Sequence, residues 1–444
     1  MHRLKIDTLS GLQLFQVLRY ASLFSIAVIL PYAGLSREEI GLYEAFLFFA
    51  GIVTFFWVTG LIQGMLPLIG EEGSLDPGVR SRELFNASLL LFAFALLSGL
   101  VLWMVHPFLQ RLLGQELPVE LAGWIILFVI LSAPSTVVEY WYMLKGRTRE
   151  LLRYGVLASL IQLLAVGLPA VIWQRVDYAL YGLVLAGGFR FGWMLVLLVR
   201  ESVFKIDAPF MRRHLKTGMP LAASVLISGS ALYVDGFIVS ARFDAGVFAL
   251  FRYGARELPL VALLAHALSS AMVPVFTRDG IPSALKQLRE RTAKMAAWMF
   301  PLTLLMLLSS YLLFPLFFSR AFTDSAGVFN LYLLLITSRL IFPQTILIAI
   351  RKTPILMWAS AMELILNVVL SLVLVQVWGI RGIALATVLA YYFERIFLVI
   401  YLRVNQGIPI NRYLDIRRHL FWSLLLFVAY GISEWVVFPL VLNS

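Results

Sequence analysis

The chain has 444 residues, of which 61% are hydrophobic and 14% charged, with a formal net charge of +11 and no cysteine. Soluble domains are about 45–50% apolar and about 25% charged, and no water-soluble core of this size hides so much apolar surface, so a soluble enzyme, a secreted domain and a nucleic-acid reader are all excluded. The lack of cysteine excludes disulfides, thiolate chemistry and Cys-bound metals, and the positive balance reads as basic loops beside anionic lipid.

A helix needs about 20 mainly apolar residues to cross hydrocarbon. Thirteen stretches qualify: 10–34, 41–67, 83–105, 119–144, 152–173, 178–200, 218–242, 246–274, 293–319, 327–350, 355–378, 380–403 and 420–442. The apolar runs are continuous rather than alternating, which excludes strands as the spanning unit. The leader MHRLKIDTLS is basic, but Arg19 interrupts the apolar run and no A-x-A cleavage site follows. It reads as a retained first helix rather than a signal peptide.

In chain order, span 1 carries a polar stripe of Gln16, Arg19 and Ser22. Gly60 and Gly64 in span 2 form a G-x-x-x-G, which reads as close helix packing. Ser135 and Glu139 are four apart in span 4, and Arg190 lies about midway along span 6. Ser224, Ser228 and Asp235 form an approximate stripe in span 7. In span 8 the spacing puts Arg252 and Arg256 on one helix face, with Glu257 rotated about 100° away. Span 10 holds Arg339, and span 11 holds Glu363 and Asn367, four apart. In span 12, Tyr391 and Arg395 share a face, with Glu394 as the alternative neighbour. Glu44 and Glu434 lie near span ends and are expected to be solvated.

With the N-terminus in the cytoplasm, the inside segments hold 24 Lys and Arg and the outside loops hold 6, alternating without exception. That asymmetry sets the orientation and supports the span list, because a missed helix would scramble it downstream. The C-terminus then lies outside. The six remaining arginines, Arg19, Arg190, Arg252, Arg256, Arg339 and Arg395, all fall within spans.

Aligning Gly41 with Gly246 gives an offset of 205, which also pairs Arg147 with Lys352 and Trp173 with Trp378. After a five-residue deletion, Gly182 pairs with Gly382. Six spans per copy is an even number, so both copies have the same topology, a parallel repeat as in many transporters. The division is then an N-lobe of 1–200, a cytoplasmic linker of 201–217 on the membrane surface, a C-lobe of 218–403, and a loop with a thirteenth helix in 404–444. Two six-helix lobes would enclose a site between them.

No P-loop, H-E-x-x-H or G-x-S-x-G occurs, so neither an enzyme nor a bound cofactor or metal is indicated. The informative feature is intramembrane charge, which costs roughly 2.5–3.5 kcal/mol per group at the bilayer centre even on insertion scales. Arg339 and Arg395 also suit snorkelling to the headgroups, Arg252 and Arg256 suit static ion pairs, and Asp235 suits loop amides. A basic, wet cavity accounts for all six arginines and suits a phosphate-bearing substrate, because guanidinium binds phosphate bidentately and stays charged. Asp235, Glu257, Glu363, Asn367 and Glu139 are the candidates for ion coupling or gating.

The junction LSREEIGLYEAF, the seventh span with GMPLAAS and LYVDGFIVSARFDAGVFAL, and NVVLSLVLVQVWGIRGIALATVLA from Asn367 resemble the polysaccharide flippases of the multidrug/oligosaccharidyl-lipid/polysaccharide (MOP) exporter superfamily. In that resemblance, Asp235 matches a commonly acidic position, and Gly379 and Gly382 mark a tight outer turn. It implies two six-helix lobes in a V, alternating access, and a central cavity. Its Wzx-like branch moves undecaprenyl-pyrophosphate-linked oligosaccharides from the inner to the outer leaflet. The thirteenth helix departs from the family's usual twelve. The expectation is therefore a flippase of the bacterial inner membrane for an O-antigen or other polysaccharide repeat unit. Its partners would be membrane lipids, H+ or Na+ as coupling ion, and polysaccharide biosynthesis enzymes, with no nucleic acid. The rival readings are a cation-coupled multidrug exporter of the same superfamily and an integral-membrane glycan polymerase or ligase. An arginine-lined cavity repels cationic drugs, and the outer loops are short for catalysis.

Overall fold

The structure is a computed structural model of the chain and describes residues 8–69, 80–113, 119–256 and 259–442. Arg3, Lys5, Glu257 and Ser444 lie outside the described residues. Within these the fold is all-α, and the sole extended pairing among the described residues is one parallel bridge between Ser81 and Ser202.

The helices are α1 (Thr8–Tyr32), α2 (Arg37–Met65), α3 (Arg82–Leu113), α4 (Val119–Ser135), α5 (Val137–Leu144), α6 (Thr148–Trp173), α7 (Val176–Glu201), α8 (Ala208–Gly229) and α9 (Ala231–Arg242). They continue as α10 (Ala245–Gly254), α11 (Pro259–Asp279), α12 (Ile281–Phe318), α13 (Ser325–Leu333), α14 (Leu335–Arg339), α15 (Pro343–Ala349), α16 (Pro354–Gln406), α17 (Ile416–Ile432) and α18 (Phe438–Leu442). Every span read from the sequence has its helix or helices here. Nine described stretches are long and apolar enough to cross a membrane as they stand. One of them, α16, holds spans 11 and 12, because its backbone leaves the helix at Gly379 (φ 55, ψ −136), a conformation that glycine enters without a Cβ clash. Spans 7, 8 and 10 are instead broken into shorter helices. The breaks fall at Gly229–Ser230, between Gly254 and Pro259, and before Pro343, where the chain bends by 43°. Glycine and proline are the usual causes of such kinks.

Large apolar side chains cover the outside. Met104, Ile172, Leu185, Leu312, Val377 and Leu424 are each more than half exposed. Water penalises such a surface and hydrocarbon accepts it.

The chain forms two compact units, residues 1–233 with 240–249, and residues 234–239 with 250–444. This division differs from the lobe boundary read at 201–217, and the reason is local packing. A Cβ on Gly60 would lie 2.4 Å from the Ala222 amide nitrogen, and one on Gly64 would lie 2.5 Å from Gly218 Cα. The G-x-x-x-G therefore lets the backbone of α8 touch α2. The segment before α8 is tied into the same unit. Asn86 Nδ2 donates to the Lys205 carbonyl (2.9 Å) and Asn86 Oδ1 accepts from the Asp207 amide (2.9 Å). Asp207 then caps α8 by accepting from Phe210 N at 2.9 Å.

The repeat is visible in the backbone of each unit. Gly146 (φ 67) and Arg351 (φ 58) are 205 residues apart, as are Gln174 (φ 51) and Gly379 (φ 55). The amide of Arg147 donates to Tyr142 O at 2.9 Å, and that of Lys352 donates to Leu347 O at 2.8 Å. Gly146 N to Met143 O (3.1 Å) is matched by Arg351 N to Ile348 O (3.0 Å). These are Schellman-type helix ends at equivalent positions, conserved in geometry although the residues differ.

Candidate functional site

In the first unit, α7 carries Arg190 at its middle, and its Nη2 donates to Oε1 of Gln162, a buried residue of α6. Pro134 and the break after Ser135 restart the helix as α5, on which Glu139 is only 4% exposed. Arg19 of α1 and Arg190 both lie close enough to Glu139 to act on it electrostatically. Tyr154 of α6 also faces Glu139, Arg19 and Arg190, and hydrogen-bonds Ser135. Phe15 stacks on the Tyr154 ring at 6.0 Å and Trp193 packs beside it at 5.5 Å. Glu139 Oε2 has no hydrogen-bond partner among the described residues. Two guanidinium groups thus act on one buried carboxylate, Arg190 from a partly buried position and Arg19 from an exposed one. Ser22, from the same stripe as Arg19, donates to Ser159 O at 2.9 Å and serves packing.

The second unit holds a different cluster. Asp235 of α9 accepts at Oδ2 from the Tyr332 hydroxyl of α13 (2.7 Å) and from Thr387 Oγ1 of α16. Asn367 Nδ2 donates to Thr387 Oγ1 at 2.9 Å, across the hairpin that turns at Gly379. One turn before Asn367, buried Glu363 acts electrostatically with Glu394, Arg395 and Asp235. Glu394 accepts from Gln344 Nε2 at 2.7 Å and sits 4.0 Å from Arg395 Nε. Glu363 thus has two other carboxylates, Glu394 and Asp235, and one guanidinium, Arg395, acting on it. Among the described residues, no three His, Asp or Glu are placed to hold a metal ion. Tyr332, Thr387 and Gln344 were missed in the sequence. Pairing spans 11 and 12 as a tight hairpin would have brought Thr387 opposite Asn367.

Several readings change. Arg252 and Arg256 do not share a helix face, because α10 closes at Gly254 and Arg256 lies beyond it. A Cβ on Gly254 would sit 2.4 Å from Ser325 O, so the chain must turn there at close range. The Arg256 guanidinium rests over the Tyr253 ring at 4.6 Å. Tyr391 lies under Arg339 at 5.8 Å, and Glu394 is the acidic neighbour of Arg395. Glu44 is buried, at 2% exposure, rather than solvated. Glu434 is partly buried, its side chain 8% exposed. A π-helical turn at Ser433–Val437 brings Glu434 against α12 and α13. There it accepts from Tyr311 Oη (2.8 Å), Asn330 Nδ2 (3.1 Å) and Arg381 Nη1 (2.8 Å).

The sequence profile of a family described as polysaccharide biosynthesis protein matches residues 35–327, more than half of the chain. The chain belongs to that family. Its fold is similar to that of the lipid II flippase MurJ in an inward closed conformation, with a TM-score of 0.66, 16% identity, and 97% of this chain and 99% of the other covered. It is also similar to an inward-facing multidrug resistance MATE transporter of the MOP superfamily (TM-score 0.61, 13% identity, coverage 88% and 98%). A Vibrio cholerae MATE transporter gives a TM-score of 0.53 at 14% identity, covering 91% and 99%. A search of curated proteins finds no match. At these identities the structures establish the fold alone, and the apolar helices among the described residues are those of a multi-pass membrane protein.

Proposed function

We propose that the chain is a flippase for an undecaprenyl-pyrophosphate-linked oligosaccharide, an O-antigen or other surface-polysaccharide repeat unit, working by alternating access in a bacterial inner membrane. The N-terminus is assigned to the cytoplasm and the C-terminus to the outside, from the charge split. The repeat halves, 1–200 and 218–403, are the lobes, joined by 201–217 and followed by the loop and extra helix of 404–444. The observation that carries the reading is that Arg19 and Arg190, from different helices, both act electrostatically on a single buried carboxylate. That arrangement has spare positive charge for a pyrophosphate, and guanidinium forks match its oxygens. Arg252, Arg256, Arg339 and Arg395 are secondary contacts. The last of these already has Glu394 beside it.

The acidic cluster around Asp235, Glu363 and Asn367 is assigned to the coupling ion, H+ or Na+. No nucleotide-binding motif is present, so an ion gradient or removal of product by polysaccharide biosynthesis enzymes supplies the drive. That cluster is also what a cation-coupled multidrug exporter would need, which keeps the exporter as the second reading.

The test is flipping of a fluorescent prenyl-pyrophosphate-linked oligosaccharide by the reconstituted chain. Arg190→Gln should reduce flipping by at least tenfold at unchanged protein level. Normal flipping by Arg190→Gln, or transport of hydrophobic cations in its place, would contradict the reading.

A further inference from the structure

Glu139 is the one buried acid in the arginine cluster of the first unit, and one of its oxygens has no hydrogen-bond partner among the described residues. A carboxylate placed only for folding would have both oxygens satisfied, because an unmade buried bond is costly. The groups facing it are Arg19 from α1, Tyr154 from α6, Arg190 from α7, and Tyr140 on α5 itself. No second acid stands among them. The helix carrying it restarts immediately before it, after Pro134 and Thr136, so α5 has a break at which to adjust.

Resting on the assignment of the substrate's phosphate to Arg19 and Arg190, we propose that Glu139 is the internal counter-anion of that site, displaced by the phosphate and protonated when it is displaced. In the empty site the Glu139 carboxylate offsets the two guanidinium groups. An arriving pyrophosphate brings more negative charge to the same guanidinium groups. Like charges sharing a low-dielectric site do not both stay ionised. The phosphate keeps its charge and takes the guanidinium contacts. The carboxylate takes one proton from the water on the side from which substrate entered, forming an O–H bond. On release of substrate the carboxyl returns that proton to water and recovers the guanidinium groups. The site thus binds anion and proton together, one for one. The neighbouring hydroxyls of Tyr154 and Tyr140 remain neutral throughout at physiological pH.

The experiment measures binding of farnesyl pyrophosphate to the purified full chain by calorimetry in two buffers of different ionisation heat, which counts protons taken up. Comparing variants cancels the ionisation of the pyrophosphate itself. At pH 7.5 the wild type should take up about one more proton per ligand than Glu139→Gln. At pH 8, Glu139→Gln should bind at least threefold more tightly, since no carboxylate has to be displaced. Glu139→Asp should retain the extra proton. Should Glu139→Gln fail to fold, Glu139→Ala is read in the same way. Equal proton uptake by the wild type and Glu139→Gln, or weaker binding by Glu139→Gln, overturns the proposal. Arg190→Gln separates the two levels. If it binds as the wild type does, the phosphate assignment itself fails. If it loses binding while Glu139→Gln matches the wild type in proton count, only the counter-anion role fails.

Discussion

The two units place polar groups at the same steps of the repeat, within clusters of opposite charge balance. Glu139 and Gln344 are 205 residues apart, and so are Gln162 and Asn367. In the first unit Gln162 accepts from Arg190, and two arginines meet one acid. In the second, Asn367 reaches Asp235 through Thr387, Gln344 donates to Glu394, and Glu363 has two further acids and one arginine acting on it. The lesson is that a duplicated helical scaffold fixes where polar groups are tolerated in the membrane, because each must find a partner on a neighbouring helix. The sign of the charge is then free to diverge, and on the proposed reading one cluster takes an anion and the other a cation.

The largest expected effect that bears on this contrast comes from the acidic side. Asp235→Asn should lower ion-driven flipping at least tenfold while leaving prenyl-pyrophosphate binding within about twofold, read by transport and calorimetry on one preparation. Loss of ligand binding in that variant would erase the distinction between the sites. A second effect, on stability rather than transport, concerns the extra helix that only the second unit carries. Glu434→Ala strands Arg381 beside Tyr311 and Phe438. Breaking a buried pair costs about 3–5 kcal/mol, and the lower end applies because Arg381 is a third exposed. Thermal unfolding in detergent should show this as a lowered midpoint, with Glu434→Gln affected less.

The repeat itself can be sharpened at its left-handed turns. A Cβ at Gly146 would meet nothing within 4 Å, so alanine there costs only backbone strain, about 1 kcal/mol. Arg351→Gly, at the position equivalent to Gly146, should stabilise by a comparable or smaller amount. Unfolding midpoints that moved in the same direction for both substitutions would break the equivalence.

The smallest effect is on pH. His214 lies outside the spans, is fully buried, and its Nε2 is 2.7 Å from Leu61 O. Burial pushes its imidazole below the ordinary value of 6.5, with the Leu61 carbonyl acting weakly the other way. Above that value both folded and unfolded forms are neutral, and the stability is fully present. As pH falls below 6.5 the unfolded form binds the proton first, so stability is lost by at most about 1.4 kcal/mol per pH unit. His214→Gln should flatten the midpoint between pH 7 and 5.5.

Much of this was legible in the sequence, for physical reasons. Span positions follow from apolar length, and the G-x-x-x-G from the small size of its residues, both local properties. The repeat was faint in identity yet exact enough in spacing to predict matching turns. Glu363 and Asn367 were readable as a pair because α16 runs unbroken through them. Arg252 and Arg256 were misread as one face because helical spacing assumes a continuous helix, and α10 ends between them at Gly254. Glu44, Glu434, Tyr332 and Thr387 depend on contacts far along the chain, which no local pattern encodes.

The central claim is that the substrate's phosphate belongs to the arginine cluster of the first unit and the coupling ion to the acidic cluster of the second. The most direct measurement is the rise in unfolding midpoint that farnesyl pyrophosphate produces in the wild type, Arg190→Gln and Asp235→Asn. The account predicts a rise of several degrees in the wild type and Asp235→Asn and none in Arg190→Gln. A rise retained in Arg190→Gln and lost in Asp235→Asn would contradict it.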